Sequence, residues 1–266
     1  MKGILLLLSA ALLLTGCATN QSPTGRSQTL LFSSQEMAQL GESSFTQIKQ
    51  QETINQDKAI NAYVQCVADR VTAALPQQNL PWEVVVFKSD QVNAFALPGG
   101  HIGVYTGLLD VAVSADQLAT VIGHEIAHVL ANHSNEQVSR AQLTGAGMQL
   151  ADIALGAGGI ADKDLYMAAL GLGVQVGYIL PYGRSQETEA DVMGVELMAR
   201  AGFDPAASVE LWKNMAKAGG EQGPELLSTH PSHGQRIAQL QQMQTKAQPL
   251  YQQSRASVKN ICQRPK

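Results

Sequence analysis

Apolar residues recur at helical spacing along most of this chain and at strand spacing in one short part of it. Helical periodicity over residues 34–75 predicts two helices. A turn sequence, Pro98-Gly99-Gly100, lies among three runs that are rich in β-branched or aromatic residues. These runs predict strands at residues 82–87, 92–97 and 101–105. The pattern therefore predicts a mainly helical α+β fold with a small β-sheet beside the helix that follows it.

The second half of the chain is predicted to be helical, but one segment of it allows two interpretations. Helices are expected at residues 185–201, after Asp204-Pro205 and at residues 235–254. Residues 141–180 are rich in glycine and alanine and predict helical segments with a break near residues 156–164. They either pack against the preceding helix or form a mobile gate or a surface that touches a membrane.

The helix that follows the predicted sheet contains the sequence H-E-I-A-H at residues 124–128. His124 and His128 are four residues apart, so both imidazoles lie on one helix face and can reach one zinc ion. Glu125 lies beside the open coordination position, where it can take a proton from a water molecule. Ser114 is a candidate N-cap for this helix. The pattern indicates a zinc peptidase with one zinc ion per chain and Glu125 as its base.

His133 is one candidate for the third zinc ligand, because it follows the two histidines closely. Catalytic zinc normally has three protein ligands. On a helix that continues through this region, however, His133 would point about 160° away from the midpoint of His124 and His128. We therefore interpret His133 as a surface histidine at the end of the helix.

A better candidate lies in an acidic run, E-T-E-A-D, further along the chain. Glu187 and Asp191 share a predicted helix face with Gly194, and that glycine would let the helix approach the catalytic one closely. Glu189 faces the opposite side together with Glu196, as a solvated pair of charges does. We therefore predict Glu187 as the third ligand, and Asp191 as the hydrogen-bond acceptor that orients a ligand histidine.

The first residues of the chain predict a targeting signal rather than part of the fold. A lysine precedes an apolar stretch, residues 4–14, which is too short to span a membrane. The sequence L-T-G-C that ends at Cys17 resembles a lipobox, which makes residues 1–16 a lipoprotein signal peptide and Cys17 the lipidated residue. An ordinary signal peptide is the alternative. Because Ala18 rather than aspartate follows, the resemblance to sorting signals implies the outer membrane, facing the periplasm.

The rest of the chain is expected to be one domain on a short tether. Residues 17–33 are polar and contain Pro23 and Gly25, so they are interpreted as the lipidated tether. Residues 34–266 are then the zinc metallopeptidase domain. No later segment is long and apolar enough to suggest a membrane span, so the lipid is the expected attachment. The formal net charge of −4 gives no indication of a nucleic-acid partner.

Two further cysteines, Cys66 and Cys262, would lie in an oxidising compartment. The helix around Cys66 has an apolar stripe at Ile60, Val64, Val67 and Val71, and Cys66 lies off that stripe. We therefore predict a disulfide between Cys66 and Cys262, with two free thiols as the alternative.

Several ordered motifs together resemble a known family. They are H-E-I-A-H at 124–128, E-T-E-A-D at 187–191, and Ser228-Thr229-His230-Pro231 followed by Arg236. The chain resembles the membrane-associated gluzincins that include BepA, LoiP and HtpX, to which the CAAX prenyl proteases and the mitochondrial Oma-type peptidases are related. The likeness extends over roughly residues 35–245 and includes Asn93-Ala94-Phe95-Ala96.

The resemblance implies a zincin fold and a role for each matching residue. It places zinc on His124, His128 and Glu187, with Glu125 as the base and Asp191 in support. It implies that His230 either stabilises the oxyanion or binds zinc as a switchable fourth ligand, and that Arg236 braces the site.

The expected reaction is hydrolysis of peptide bonds in unfolded or misassembled envelope proteins. An extended substrate would pair with the edge strand formed by Asn93, Ala94, Phe95 and Ala96 through main-chain hydrogen bonds. Outer-membrane assembly machinery is a further expected partner. The main alternative is a latent or non-proteolytic zinc-binding chaperone or assembly factor. A zinc amidase of the cell wall is weaker, because an edge strand suits a peptide better than a glycan.

Overall fold

The computed structural model describes residues 19–76, 80–154, 182–218, 225–230, 234–257 and 262–265. Its strands are β1 Thr19–Gln21, β2 Ser27–Thr29, β3 Glu83–Phe87, β4 Ala94–Leu97 and β5 His101–Tyr105. Its helices are α1 Ser34–Gln51, α2 Lys58–Ala73, α3 Leu108–Val111, α4 Ala115–Leu130, α5 His133–Ala154, α6 Arg184–Arg200, α7 Ala207–Ala218, α8 Glu225–Thr229 and α9 Arg236–Arg255. The predicted mainly helical α+β class is confirmed. Within these residues, no helix combines the length and hydropathy of a membrane span.

Some sequence predictions fall outside the described residues. They are the signal peptide, the lipidation of Cys17, the sorting role of Ala18 and the helix break near residues 156–164. The first part of the glycine-rich segment belongs to α5, which runs to Ala154.

The three-stranded sheet has the order β3-β5-β4, with β3 parallel and β4 antiparallel to β5. Ala94 pairs with Val104 and Leu97 with His101, so the turn between β4 and β5 is tight. Gly99 and Gly100 both have a φ of 95°, a conformation that glycine adopts without strain. Because β4 pairs only with β5 in this order, it is an edge of the sheet, as predicted from the sequence.

Helix α4 lies at the centre of the hydrophobic core. It packs against β4, α2, α6 and α7, and Leu118, Ile122 and Ile126 on it are fully buried. A second, aromatic cluster fills the space between α1 and the sheet, where Phe45, Phe87, Phe95 and Tyr105 pack together. Burial of this much apolar surface is the main source of stability, and it fixes α4 rigidly beside strand β4.

Helices α4 and α6 approach each other closely at a pair of glycines. A Cβ atom on Gly194 would lie 2.8 Å from the backbone nitrogen of His124, and one on Gly123 would lie 2.9 Å from the carbonyl oxygen of Gly194. Only glycine fits at both positions, so the prediction for Gly194 is confirmed. The close approach brings the acidic residues of α6 next to the histidines of α4.

The segment interpreted as a tether folds against the domain over part of its length. Strands β1 and β2 form an antiparallel hairpin in which Thr19 pairs with Thr29. Gln28 Nε2 donates a hydrogen bond of 2.8 Å to the carbonyl oxygen of Ala131, and the Leu31 amide donates one of 2.8 Å to Ser139 Oγ. From Thr19 onward, this segment is therefore part of the folded structure, which its polar composition did not predict.

A disulfide joins Cys66 on α2 to Cys262, as predicted, with their Cα atoms 5.7 Å apart. The bridge closes a loop across a sequence separation of 196 residues and so restricts the unfolded chain strongly. We expect the Cys66→Ser/Cys262→Ser double variant to lose about 3 kcal/mol of unfolding free energy, measured by denaturant titration. Reduction of the wild-type protein should produce the same loss. An unchanged midpoint would contradict a stabilising bridge.

Candidate metal centre

Helix α4 presents its functional residues from a well-defined start. Ser114 is the N-cap, and its Oγ accepts a hydrogen bond of 3.2 Å from the amide of Gln117. Gln117 Oε1 accepts from the amide of Val113 rather than that of Ser114, so the reciprocal bond of a capping box lies one residue earlier. The start of the helix sets the direction in which His124, Glu125 and His128 project.

Four buried side chains direct metal-binding atoms at one point. They belong to His124 and His128 on α4, Glu187 on α6 and His230, which follows α8. His124 Nε2 lies 3.0 Å from His128 Nε2 and 3.3 Å from His230 Nδ1. Glu187 Oε1 lies 3.0 Å from His230 Nδ1 and 3.4 Å from His128 Nε2. The structure thus brings together three histidines and one carboxylate.

The spacing and chemistry of these atoms fit a tetrahedral metal ion. Ligand atoms about 2.1 Å from a common centre would be about 3.4 Å apart in a tetrahedron, close to the observed distances. Imidazole nitrogens with a carboxylate oxygen are donors that zinc accepts, whereas calcium and magnesium require mostly oxygen ligands. The group can therefore hold a metal ion, and its donors favour zinc.

The charges around the site favour a cation. Burial raises the pKa of the Glu187 carboxyl, but the charge of His124 and hydrogen bonds from three histidines hold it well below its ordinary value. Burial lowers the pKa of His124, whereas Glu187 and Asp191 together raise it to about 9. For His128, burial dominates and the pKa is well below its ordinary value. The two carboxylates thus attract positive charge to the point where the ligand atoms meet.

Asp191 and Arg236 contact the ligand side chains and hold them in place. Asp191 Oδ1 lies 3.0 Å from His124 Nδ1 and accepts a hydrogen bond of 2.7 Å from Arg236 Nη2. Arg236 Nη1 donates to Glu187 Oε2 at 3.1 Å. With Nδ1 of His124 directed at a carboxylate, its Nε2 is free to present a lone pair to a metal. The contact between Asp191 and His124 is the one that the sequence predicted. For Arg236 the resemblance implied a bracing role without naming its partners.

Glu125 borders a small cavity at the site. A space of about 10 Å³ is lined by Glu125, His124 and His230, with apolar walls that include Trp212. This is roughly the volume that one water molecule requires. Within the described residues, Glu125 Oε1 has no hydrogen bond, and burial raises the pKa of its carboxyl. A carboxylate whose pKa is raised holds a proton more readily than an ordinary one, which suits a group that accepts and returns a proton.

Comparison with known proteins identifies the family to which this site belongs. The model of Peptidase family M48 matches residues 35–244. The chain belongs to this family. The predicted resemblance to the BepA, LoiP and HtpX group is thereby confirmed, as is the metalloendopeptidase class of the domain.

Relatives in this family include mitochondrial and bacterial proteins. The mitochondrial metalloendopeptidase OMA1 of Schizosaccharomyces pombe is 37% identical over 188 residues, covering 70% of this chain and 53% of that protein. The Arabidopsis thaliana protein of the same name is 34% identical over 229 residues, 85% of this chain and 45% of that protein. The beta-barrel assembly-enhancing protease of Yersinia pestis is 30% identical over 224 residues, which cover 81% of this chain and 45% of that protein. This chain therefore spans about half the length of these curated relatives.

Two predictions about this M48 site were wrong, namely those for His133 and Glu189. Both were expected to be exposed, yet His133 is fully buried and Glu189 is 4% exposed. Helix α4 ends at Leu130, and Asn132, with a φ of 55°, redirects the chain before α5 begins. The angle calculated for a continuous helix therefore does not apply to His133. Its Nδ1 lies 2.9 Å from His128 Nδ1, and its Nε2 lies 3.1 Å from Glu189 Oε2.

Two aromatic side chains at the M48 site had not been predicted as part of it. Tyr182 stacks on His128 with ring centroids 3.9 Å apart, and its hydroxyl lies 3.3 Å from Ser134 Oγ. Trp212 on α7 lies against the guanidinium of Arg236, whose carbon is 3.4 Å from the ring centroid. Local spacing in the sequence carries no signal for either contact.

The four predicted substrate-binding residues lie at the start of the edge strand, which packs against α4. Asn93 precedes β4, and its Oδ1 accepts a hydrogen bond of 2.9 Å from the Ala94 amide. The amide of Leu226 on α8 donates a bond of 3.1 Å to the carbonyl oxygen of Val92. Helix α8, which precedes His230, is thus attached to the chain where β4 begins. Substrate binding by Asn93, Ala94, Phe95 and Ala96 stays a prediction.

Proposed function

We propose that this chain is a zinc-dependent metalloendopeptidase that hydrolyses peptide bonds in unfolded or misassembled envelope proteins. The observation that carries the proposal is the position of Glu125, a buried carboxylate beside a water-sized cavity and beside the converging donors of His124, His128 and Glu187. Family membership supports the reaction class. One zinc ion per chain would be held by these three donors.

The mechanism assigns a task to each residue of the site. A bound zinc ion would act as a Lewis acid, which polarises the scissile carbonyl and lowers the pKa of water. Glu125 takes the proton of the attacking water and returns it to the leaving amine. Asp191 keeps His124 in the orientation and tautomer of a ligand, and Arg236 neutralises the buried charges of Asp191 and Glu187.

The proposed substrate class follows from the edge strand and from one relative. Main-chain pairing with β4 would select an extended peptide with little regard to its sequence, and unfolded proteins supply such peptides. The Yersinia pestis relative is named as an enhancer of β-barrel assembly, which supports an envelope substrate and contact with outer-membrane assembly machinery. The OMA1 relatives are mitochondrial by name and support only the reaction class.

The test of this function begins with Glu187. We expect Glu187→Gln, which keeps the shape of the side chain and removes its charge, to lose zinc and the hydrolysis of unfolded casein together. Zinc per chain is measured by metal analysis after dialysis against a weak chelator. Glu196→Gln on the same helix is the matched control, because Glu196 is exposed and pairs only with Arg200 among the residues described. Full zinc content and activity in Glu187→Gln would refute the proposed ligand set.

The proposed location rests on the N-terminal sequence. Residues 1–16 would be removed as a signal peptide, Cys17 would carry the lipid, and the domain of residues 34–266 would face the periplasm from the outer membrane. We expect Cys17→Ser to abolish lipid labelling and to release the protein from the outer-membrane fraction or leave it uncleaved. Glu210→Gln, an exposed substitution that leaves the lipobox and the disulfide intact, is the control. Unchanged fractionation of Cys17→Ser would exclude lipid anchoring through this residue.

A latent form is the second candidate, and one observation favours it. His230 Nδ1 occupies the fourth position of the donor group, where a substrate or water would otherwise lie. The Leu226 amide on α8 also bonds to the carbonyl oxygen of Val92, two residues before the edge strand begins. In this form the chain would act as a zinc-binding assembly factor until α8 and His230 move away.

A further inference from the structure

The hairpin of β1 and β2 is joined to the elements beside the metal centre through ion pairs with buried carboxylates. Arg26 Nε donates to Glu189 Oε2 at 2.8 Å, and Thr24 Oγ1 donates to Glu189 Oε1 at 2.6 Å. The two terminal nitrogens of Arg26 donate to the two carboxylate oxygens of Glu136, at 2.9 and 2.7 Å. One arginine thus joins the N-terminal hairpin to α5 and α6. The hairpin lies outside residues 35–244, which the family model matches.

A continuous chain of polar contacts runs from this arginine to a metal-binding histidine. Glu189 Oε2 lies 3.1 Å from His133 Nε2, and His133 Nδ1 lies 2.9 Å from His128 Nδ1. The opposite nitrogen, His128 Nε2, belongs to the donor group. His128 and His133 are 1% and 0% exposed, so water does not substitute for these contacts. The mechanism has no other use for the buried imidazole of His133.

The positions of the protons along this chain of contacts follow if His128 is to bind a metal. His128 Nε2 must present a lone pair to a metal, so the proton of the neutral ring is on Nδ1. That N–H donates to His133 Nδ1, which therefore accepts. His133 then carries its proton on Nε2 and donates it to Glu189. Each donor in the chain faces an acceptor, and the chain ends at a carboxylate that is neutralised by Arg26.

The two ligand histidines of α4 are therefore held in similar ways. Metal-binding histidines usually donate their second N–H to a carboxylate or carbonyl group. His124 has Asp191 for this purpose, directly at 3.0 Å. His128 reaches its carboxylate, Glu189, only through the interposed ring of His133.

We propose that His133, Glu189 and Arg26 form a positioning chain that holds His128 in the tautomer and orientation of a metal ligand. The N-terminal hairpin is thereby a part of the metal site. This inference rests on the metal site of the proposed function. It predicts that zinc affinity depends on residues that never touch zinc.

The first test measures metal binding rather than hydrolysis. Apo-protein is titrated with Zn²⁺ against a chelator, and the absorption spectrum of the Co²⁺ form reports the ligand geometry. His133→Leu removes both contacts and should weaken zinc binding on the order of 10- to 100-fold and change the cobalt spectrum. His133→Gln offers an amide oxygen to His128 and an amide N–H to Glu189, so it should retain most of the affinity. The melting temperature of each apo-protein separates loss of fold from loss of metal.

The second test addresses the hairpin. Arg26→Leu should weaken zinc binding, by less than His133→Leu does, because Glu189 keeps its bond to His133. Arg140→Leu is the matched control, since Arg140 pairs with Glu136 but not with Glu189, and its side chain is 59% exposed. Zinc affinity should be unchanged in this control.

The outcomes distinguish this inference from the proposed function. If the wild-type protein binds no zinc, both are overturned. If the wild type binds zinc and His133→Leu has the same affinity and cobalt spectrum, the positioning chain alone is overturned. If His133→Leu weakens binding but Arg26→Leu behaves like Arg140→Leu, the chain ends at Glu189 and the role of the hairpin is refuted. A fall in apo-protein melting temperature with unchanged affinity would mean a structural role only.

Discussion

Glu125→Gln is expected to lower casein hydrolysis by about 10²- to 10⁴-fold, because it removes the group that accepts and returns the proton. The substitution keeps the shape of the side chain and leaves His124, His128 and Glu187 in place, so zinc content should remain one ion per chain. Initial rates on fluorescently labelled casein and metal analysis of the same sample provide the two measurements.

The zinc measurement separates the loss of a base from the loss of the site. Glu187→Gln should lose activity and zinc together, whereas Glu125→Gln should lose only activity. Glu210→Gln is a control, because Glu210 is exposed on α7 and pairs with Lys213. Turnover near that of the wild type in Glu125→Gln would exclude Glu125 as the general base. A zinc-free but folded Glu125→Gln protein would mean that this residue supports the metal instead.

The fold was predictable where local pattern determines it. Helical periodicity and strand runs gave α1, α2, α6, α9 and all three strands of the main sheet. The strong turn sequence Pro98-Gly99-Gly100 also predicted the tight turn between β4 and β5. The N-terminal hairpin was missed because its short strands are polar and are held by contacts to Ala131 and Ser139, more than a hundred residues away. Composition alone suggested a flexible segment.

Residues of the site were predictable where several of them lie on the same helix. His124, Glu125 and His128 follow from spacing on α4, and Glu187 and Asp191 from a shared face of α6. Glu189 was misjudged because its partner, Arg26, is distant in the sequence and reaches it only after folding. His133 was misjudged because the helix was extended past Asn132, a residue type that adopts the left-handed conformation more readily than most. That asparagine was the available signal.

His230→Ala is expected to raise basal proteolysis, and the direction of the change decides between two roles. As a fourth donor, His230 would hold the site shut, and if about one molecule in ten is open, its removal raises the rate about tenfold. As an oxyanion donor it would stabilise developing charge, and its removal would lower turnover by about 10²-fold or more. The measurement is the initial rate on an unfolded substrate at saturating zinc, with zinc content determined in parallel.

The geometry favours the role of His230 as a fourth donor. His230 Nδ1 lies 3.0 Å from Glu187 Oε1 and 3.3 Å from His124 Nε2, which places it among the donors rather than opposite them. Its Nε2 lies 3.5 Å from Glu125 Oε1, so the same ring also approaches the base. An open site requires this ring to withdraw, and we expect the withdrawal to break the bond between the Leu226 amide on α8 and the Val92 carbonyl. His233→Ala is the control, because no role has been assigned to that histidine. If His230→Ala leaves both rate and zinc content unchanged, neither role holds and His230 does not control the site.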